Sequence, residues 1–297
     1  MLVTAVITTH KRPPQLVERA LKSILNQTYT DIEIFVVDDS PAEYELRADV
    51  KTMVEAYSDR NVTYIAHEKC MGACAARNTG LASANGEFIG YLDDDDEWLP
   101  TKIEEQLQKF TSADIALVYC GRTVVYDSSN KTVDCLPECE LDNVYEELLK
   151  SNFIGSTSFP FLRTSALREI GGFDVEMQSA QDYDVWLRLC KKYSVDFVNK
   201  SLVLYHFHEG EQITKRPDKK VSGLERIIEK NYEFIKLNGE TYWLRHMSLV
   251  PWYAKNKQFG KALKTWFKAA FRCPLKIKGN ITYLYSFFRI LILKDKA

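Results

Sequence analysis

Short, wholly apolar runs recur along the first hundred residues, separated by stretches with helical spacing. A run that is apolar throughout predicts a strand buried on both faces, because a half-exposed strand alternates polar and apolar positions. The helical pattern is clearest after the first run, where every third or fourth residue is apolar. The predicted strands are LVTAVITT (2–9), IEIFVVDD (32–39), VTYIAH (62–67) and EFIGYLD (87–93); the predicted helices lie in LVERALKSILNQ (16–27), SPAEYELRADVKTMVEAYS (40–58) and GACAARNTGLASAN (72–85).

This alternation of strands and helices predicts an α/β fold with a mostly parallel sheet, helices on both faces and right-handed crossovers. Further along, IALVYCGRTVVYD (115–127) predicts a strand pair or hairpin, QDYDVWLRLCKKY (181–193) a helix and VDFVNKSLVLYHFH (195–208) a late strand. From about Val221 the pattern is helical and rich in aromatic residues. We therefore predict a domain of residues 1–220 followed by a helical appendage of residues 221–297.

Three of the predicted strands end in polar or acidic clusters: Thr8-Thr9-His10, Asp38-Asp39 and the run from Asp93 to Asp96. In open α/β sheets, ligands bind at the carboxyl ends of the strands. One such cluster alone would be weak evidence. Their convergence predicts a ligand site at this edge of the sheet.

The last cluster, in FIGYLDDDDEWLP, consists of four consecutive aspartates with no basic residue within the run. If the chain is still extended there, Asp93 and Asp95 point to one side and Asp94 and Asp96 to the other. Two carboxylates on one side suit a hard divalent cation, whose charge would offset their repulsion. A solvated acidic turn is the alternative interpretation.

The net charge of −2 is unevenly distributed, since residues 255–297 contain eleven Lys/Arg and one acidic residue. An acidic body with a basic tail suggests an anionic partner for the tail. Seven cysteines, an amino terminus without a signal-peptide pattern and no apolar run of about 20 residues favour a cytoplasmic protein. A zinc site formed by Cys70, Cys74, Cys135 and Cys139 is an alternative to four reduced thiols.

The chain resembles the family-2 inverting glycosyltransferases of the bacterial surface-polysaccharide type, which have a GT-A fold. The resemblance rests on VITTHKRPPQLVERALKSILNQTYTDIEIFVVDDSP, on GACAARNTGLASANGEFIGYLDDDDEWLP with its DXD motif, and on GGFD followed by QDYDVWLRL. These segments cover roughly residues 1–210 in the family's order. The resemblance implies transfer of a sugar from a nucleotide diphosphate to an acceptor hydroxyl, with Mn²⁺ or Mg²⁺ as cofactor.

By position, the resemblance implies a donor-binding set at the strand ends. Thr8 and His10 line the nucleotide pocket, Asp39 accepts a hydrogen bond from the base, most often uracil N3–H, and Asp38 braces the turn. The remaining members of the donor set are Arg12, Arg77, Asp93 and Asp94.

The resemblance also implies a metal and a general base. Asp95 and His208 are the expected metal ligands, and Asp182 is the expected base. The acidic residue that commonly precedes this base is Gln181 here, which could alter its pKa or acceptor binding. The DXD register is either 93/95 or 94/96, and the spacing from Asp96 to Pro100 favours 93/95.

Each role has a structural alternative. Asp38 and Asp39 could cap a turn or helix, and Asp182 with Asp184 could be a first-turn pair that is favourable to the helix dipole. Arg77 could be a surface helix residue. His10 and His208 could be ordinary structural histidines.

The predicted enzyme is a hexosyl- or N-acetylhexosaminyltransferase that acts on a saccharide or lipid-linked saccharide, as in the assembly of capsule or lipopolysaccharide. A nucleotidyltransferase would need a glycine-rich basic phosphate loop, which VITTHKRPP lacks. A catalytically silent GT-A protein serving as a scaffold or saccharide-binding partner is the alternative from a different class.

The basic tail has three interpretations. In GKALKTWFKAAFR, one apolar face is predicted with lysines elsewhere. It could pack on the catalytic domain or a twin subunit in a homo-oligomer, or it could lie on an anionic membrane surface, which would make the enzyme peripheral to the inner face of the cell membrane. Nucleic acid is disfavoured as a partner, because no recognised nucleic-acid-binding module accompanies the charge. The face consists of Ala262, Leu263, Trp266, Phe267, Ala270 and Phe271.

Overall fold

The computed structural model describes residues 1–126, 129, 131–137, 143–207 and 216–292. The expected metal ligand His208 and Cys139 of the alternative zinc site lie outside these residues. The strands are β1 (Val3–Thr9), β2 (Ile32–Asp38), β3 (Val62–Ala66), β4 (Phe88–Asp93), β5 (Glu97–Trp98), β6 (Ile115–Tyr126), β7 (Lys131–Cys135), β8 (Phe161–Arg163) and β9 (Ser194–Phe207). The helices are α1 (Pro14–Leu25), α2 (Arg47–Glu55), α3 (Ala73–Ser83), α4 (Lys102–Leu107), α5 (Val144–Lys150), α6 (Thr164–Glu169), α7 (Gln181–Cys190), α8 (Pro217–Lys230), α9 (Tyr232–Ile235), α10 (Gly239–Lys255), α11 (Phe259–Arg272) and α12 (Ile277–Ile292).

The strands form one sheet in the order β3-β2-β1-β4-β8-β6-β9-β5, with β7 paired to β6. The first four strands are mutually parallel, as their apolar runs predict. Beyond β4 the pairing is mixed: β8 is antiparallel to both β4 and β6, whereas β9 is parallel to β6. The predicted mostly parallel α/β sheet is therefore confirmed for the part that carries the strand-end clusters.

Two local predictions are wrong. The segment predicted as a strand pair or hairpin is one long strand, β6, and its hairpin partner is β7. The acidic run is not extended, because the Asp96 amide donates to the Asp93 carbonyl oxygen at 3.1 Å and closes a turn. The next helix, α4, begins at Lys102, and residues 97–98 before it form β5 and pair with β9.

The small-residue composition of α3 is explained by its close approach to β1. A Cβ atom on Gly80 would lie 2.5 Å from Val6 Cγ1, which is closer than two carbon atoms can pack. Cys74, Ala75, Ala76 and Leu81 of α3 are buried as well. This packing fixes α3 against the sheet and holds Arg77 near the carboxyl end of β4.

The described residues fall into two compact units. One consists of residues within Met1–Tyr145, Phe153–Val175 and Asp182–Glu209, and contains the sheet. The other consists of residues within Glu146–Asn152, Glu176–Gln181 and Gly210–Ala297. In this helical unit, the buried Trp243 of α10 donates through Nε1 to Asn280 Oδ1 of α12 at 2.7 Å. The predicted domain boundary after residue 220 stays a prediction.

In the part of the chain that the structure describes, no helix combines the length and the apolar character needed to cross a bilayer.

A lysine in the core of the sheet unit carries the first testable prediction. Lys102 is fully buried, its Nζ donates to Gln106 Oε1 at 2.6 Å, and it lies 4.3 Å and 4.4 Å from the ring centroids of Trp98 and Phe161. Burial lowers the pKa of Lys102 to about 7. The unfolded chain, with an ordinary lysine pKa of about 10.4, therefore binds more protons between pH 7 and 10.

Because the free energy of unfolding rises with pH where the unfolded state binds more protons, the wild type should gain stability from pH 7 to 9.5. Lys102→Met removes this titration, and we expect it to lose about 1–3 kcal/mol of that gain, the range allowing for cation–π stabilisation of the charged form. Urea unfolding of both proteins at the two pH values measures the difference. Equal gains in the two proteins would show that Lys102 titrates normally.

Candidate active site

The three polar clusters meet at one edge of the sheet. In the strand register, the Cα of Thr8 on β1 is paired with Val37 on β2 and with Asp93 on β4. Thr9 is paired with Asp38. The three strand ends are therefore direct neighbours, as the sequence predicts.

The four aspartates differ in exposure. Asp93 and Asp95 are 29% and 23% exposed, whereas Asp94 and Asp96 are buried. The alternation predicted for an extended strand is thus retained by the turn. Of the two possible DXD registers, 93/95 is the one whose carboxylates reach solvent.

Two arginines from outside the run offset its charge. The Arg12 guanidinium bridges the turn, with Nε donating to Asp94 Oδ1 at 2.9 Å and Nη2 to Asp95 Oδ2 at 2.8 Å. Arg77 Nη2 donates to Asp93 Oδ1 at 2.9 Å. The repulsion that the sequence alone leaves uncompensated is therefore reduced by side chains of the β1–α1 loop and of α3.

Burial has a large effect on the inner pair of aspartates. It raises the pKa of Asp94 to about 7, although the nearby Arg12 acts in the opposite direction. Burial also raises the pKa of Asp96 well above its ordinary value, with further contributions from Asp93 and Asp95. Burial thus favours the neutral form of the inner pair, Asp94 and Asp96.

A hydroxyl-rich loop before β8 completes the acidic turn. Ser156 Oγ donates to Asp93 Oδ2 at 3.0 Å and Thr157 Oγ1 to Asp93 Oδ1 at 3.1 Å. Ser158 Oγ donates to the buried Asp96 Oδ2 at 2.6 Å. Sequence reasoning missed this loop, and its signal was the run of three small hydroxyl residues directly before an apolar segment.

Asp39 is held by four donors. Its oxygens accept hydrogen bonds from the Met71 amide at 2.7 Å, the Gly72 amide at 2.8 Å, His67 Nδ1 at 2.7 Å and Cys70 Sγ at 3.3 Å. Burial raises the pKa of Asp39, but these hydrogen bonds lower it by more. A carboxylate offers about four acceptor positions, so Asp39 is fully used in organising the loop before α3.

Asp38 braces its turn, as expected. Its Oδ1 accepts a hydrogen bond from the Ser40 amide at 2.8 Å, and its Oδ2 accepts one from the Tyr64 hydroxyl at 2.7 Å. Burial and this bond to Asp38 raise the pKa of the Tyr64 hydroxyl. Asp38 therefore connects β2 to β3 below the nucleotide pocket predicted from the resemblance.

His10 lies at the rim of the same region. It is exposed, and its Nδ1 is 2.9 Å from the Asp39 carbonyl oxygen. His10, Asp39 and Cys70 form a group with ligand atoms within 4.8 Å of one another. Because the Asp39 carboxylate already accepts four hydrogen bonds, we describe this group as a hydrogen-bonded cluster and not as a metal centre.

Asp182 is the second residue of α7 and accepts a hydrogen bond from the Tyr183 amide at 2.7 Å. Burial lowers the pKa of Arg77, but the Asp93 carboxylate and, more weakly, the Asp182 carboxylate raise it by more. Arg77 is thus under the electrostatic influence of both the acidic turn and the predicted base. A surface position, the alternative for Arg77, is wrong, because its side chain is only 11% exposed.

The neighbouring acidic residue of α7 has a different environment. Asp184 is buried and pairs with Arg188, whose Nε donates to Asp184 Oδ2 at 2.8 Å. Arg188 in turn donates to the carbonyl oxygens of Ile170 and Gly172 at 2.7 Å. Asp184 therefore anchors the GGFD turn, and Asp182 is the half-exposed carboxylate of the two.

The geometry agrees with comparisons to known proteins. The model of the family "Glycosyl transferase family 2" matches residues 4–171. The chain belongs to this family. The putative colanic acid biosynthesis glycosyl transferase WcaA of Escherichia coli (strain K12) is 33% identical over 234 residues, covering 77% of this chain and 81% of WcaA. The predicted enzyme class, glycosyltransferase, is confirmed.

Two further proteins extend the comparison. The UDP-Glc:alpha-D-GlcNAc-diphosphoundecaprenol beta-1,3-glucosyltransferase WfgD of Escherichia coli is 28% identical over 183 residues, covering 62% of this chain and 68% of WfgD. The mannosyltransferase PcManGT from Pyrobaculum calidifontis, solved in complex with GDP-Man and Mn2+, has a TM-score of 0.61 at 16% identity, covering 99% of this chain and 88% of PcManGT. The structural likeness confirms the GT-A fold.

Proposed function

We propose that this glycosyltransferase uses a UDP-sugar and a divalent cation, and transfers the sugar with inversion to a lipid-linked saccharide. The observation that carries the proposal is the environment of Arg77. Its guanidinium bonds the outer aspartate of the acidic turn, Asp93, and is influenced by the carboxylate of Asp182. A donor site and a base that serve one reaction must lie near each other, and the influence of both carboxylates on the Arg77 guanidinium supports this.

The donor pocket is proposed at the strand ends. Thr8 is half-exposed at the end of β1, and His10 and Asp39 lie at the neighbouring rim. For Asp39 to accept a hydrogen bond from a base, one existing donor must give way. The Cys70 thiol, at 3.3 Å, is the weakest of the four. WfgD is named for UDP-Glc, which supports a uracil base in this pocket.

The residues present fit a divalent cation. Asp93 and Asp95 supply carboxylate oxygens, the ligand type that Mg²⁺ and Mn²⁺ take in proteins. Both carboxylates are partly exposed, and their pairing with arginines supports a role for positive charge at this turn. When bound, such a cation would stabilise the negative charge that develops on a diphosphate leaving group. The predicted contribution of His208 stays a prediction.

Asp182 is proposed as the general base. A half-exposed carboxylate at the start of α7 can accept the proton of an acceptor hydroxyl as that hydroxyl attacks the sugar. Attack in line with the leaving group, without a covalent enzyme intermediate, inverts the anomeric centre. Gln181 donates through Nε2 to the Met177 carbonyl oxygen at 3.0 Å, so a neutral amide holds the position that is commonly acidic.

The relatives suggest the acceptor class. WcaA is named for colanic acid biosynthesis and WfgD for a diphosphoundecaprenol-linked saccharide. We therefore propose an acceptor of this chemical class, a hydroxyl of a saccharide on a polyprenyl diphosphate.

Nucleotide release tests the proposal. UDP-, GDP- and dTDP-sugars are each incubated with the full chain and Mn²⁺, Mg²⁺ or EDTA, and thermal shift is recorded for every pair. We expect one UDP-sugar to raise the unfolding temperature only with metal and to be slowly hydrolysed. A response to a GDP- or dTDP-sugar alone would contradict the choice of base. No response to any donor would favour the catalytically silent scaffold.

A further inference from the structure

The helical unit exposes an apolar stripe along α12. The stripe consists of residues spaced four, four, three and four positions apart, which places them within one face of the helix. An exposed apolar stripe of this length is unusual in a protein that remains free in solution. The residues are Ile277, Ile281, Tyr285, Phe288 and Ile292, between 46% and 77% exposed.

The exposed face of α11 combines aromatic and basic side chains. Phe267 is 63% and Phe271 91% exposed, and the exposed residues Lys264, Lys268 and Arg272 lie on the same face. The sequence predicted one apolar face with the lysines elsewhere, and the structure leaves the edge of that face next to the lysines, Phe267 and Phe271, exposed. The packed side of α11 is formed by small residues, since Ala262 and Ala269 are the fully buried ones, so the two phenylalanines are left outside.

The connection between the two helices continues this surface. Leu275 is 92% exposed in the turn between α11 and α12. A groove of about 1000 Å³ runs beside α11 and is lined by Leu237, Trp266 and Phe267 as well as by the cations Lys236, Lys268 and Arg272. Apolar floor and cationic rim therefore occur together, as a phospholipid requires.

Charge determines which partner suits this surface. Residues 255–292 contain nine Lys/Arg and no Asp/Glu. Lys261 and Lys276 pair with Glu225 and Glu240, whereas Lys264 and Lys268 have no ion pair with the described residues. A second copy placed symmetrically on this surface would oppose like charges, which is unfavourable. An anionic lipid surface offers the opposite charge and also an apolar layer for the exposed aromatic residues.

We propose that the exposed residues of α11, the turn at Leu275 and the apolar stripe of α12, together the α11–α12 surface, dock on an anionic bilayer. Phe267, Phe271 and Leu275 enter the boundary between headgroups and acyl chains. Lys264, Lys268 and Arg272 contact lipid phosphates. This inference does not depend on the donor chemistry, although docking would place the enzyme beside a lipid-linked acceptor.

Vesicle sedimentation tests the docking. The full chain is mixed with vesicles of phosphatidylcholine alone or with 25% phosphatidylglycerol, without donor or metal. We expect binding only to the anionic vesicles and loss of binding at high salt. Lys264→Gln/Lys268→Gln should weaken partitioning roughly 30-fold, from about fivefold per lysine near an anionic surface. Phe271→Ser/Leu275→Ser should weaken it at least about tenfold.

Matched substitutions in the sheet unit serve as the control. Val175 is 62% exposed and Lys51 55% exposed, so Lys51→Gln/Val175→Ser removes similar groups from another surface. The control should bind within about twofold of the wild type, and circular dichroism should be unchanged in all variants because every altered side chain is exposed.

Failure of the wild type to bind anionic vesicles would overturn the docking, as would equal binding by all variants. So would a lipid-free dimer that Phe271→Ser/Leu275→Ser converts to a monomer. If the wild type does not bind vesicles but still binds a nucleotide sugar, the docking is wrong and the proposed transferase function stands.

Discussion

Asp182→Asn should reduce sugar transfer by roughly 10²–10⁴-fold and leave donor binding unchanged. The amide has nearly the same shape as the carboxylate but cannot accept the proton of the acceptor hydroxyl, and general-base catalysis contributes about that factor. Donor binding should persist because the donor contacts are proposed at the strand ends, on Thr8, His10 and Asp39. Transfer is measured with a lipid-linked acceptor, and donor binding by metal-dependent thermal shift.

The control addresses the capping alternative for Asp182. Asp218 is the second residue of α8, as Asp182 is of α7, so both carboxylates occupy the same position relative to a helix dipole. Either substitution should lower stability slightly, and by a similar amount, through that dipole. Only Asp182→Asn should lose transfer. If both variants keep transfer within about threefold of the wild type, Asp182 is a capping residue and not a base.

The sheet could be predicted because its central strands carry one unambiguous signal. β1, β2 and β4 are mostly apolar and mostly buried, which is typical of strands that lie between two layers of helices. The meeting of Thr8, Asp38 and Asp93 then followed from the geometry of parallel strands. Strand ends are placed by the backbone, so their neighbours can be predicted from sequence.

The side-chain partners of the acidic turn could not be predicted in the same way. Arg12 is separated from Asp94 by 82 positions, and Ser158 from Asp96 by 62. The hydroxyl-rich loop reaches the turn because β8 lies antiparallel between β4 and β6. β8 has only three residues, too few for a hydrophobic pattern that would predict a strand. Lys102 was missed for a related reason, because a lysine at the start of a helix ordinarily extends into solvent.

The surface of α11 shows a limit of periodicity itself. Helical spacing predicts which residues share a face, but not which face is buried. Two small residues, Ala262 and Ala269, allow α11 to approach its neighbours closely, and this leaves Phe267 and Phe271 on the solvent side. The face of α11 that packs is therefore determined by the size of its side chains as well as by their hydrophobicity.

The 93/95 register of the DXD motif makes Asp95 a proposed metal ligand, so its replacement should strongly weaken metal-dependent donor binding. Asp95→Asn should abolish the metal-dependent thermal shift with donor, lowering donor affinity in Mn²⁺ by more than about 100-fold. Mutation of a residue that only hydrogen-bonds to a metal ligand costs about 10–100-fold in metal affinity. Loss of a ligand itself should cost more. Asp95 is half-exposed, and its bond to Arg12 is replaceable by solvent, so the fold should tolerate the change.

Asp96→Asn distinguishes the two registers. Asp96 is buried and accepts hydrogen bonds from Ser158 Oγ and the His206 amide. Burial raises its pKa well above the ordinary value, so a neutral amide resembles the protonated form that burial favours. We expect this variant to retain the metal response within about threefold if circular dichroism shows a native fold. The opposite pattern, with Asp95→Asn active and a folded Asp96→Asn unresponsive to metal, would assign the cation to the inner pair. Such a result would require the turn to open on donor binding, because Asp94 and Asp96 do not reach solvent in this structure.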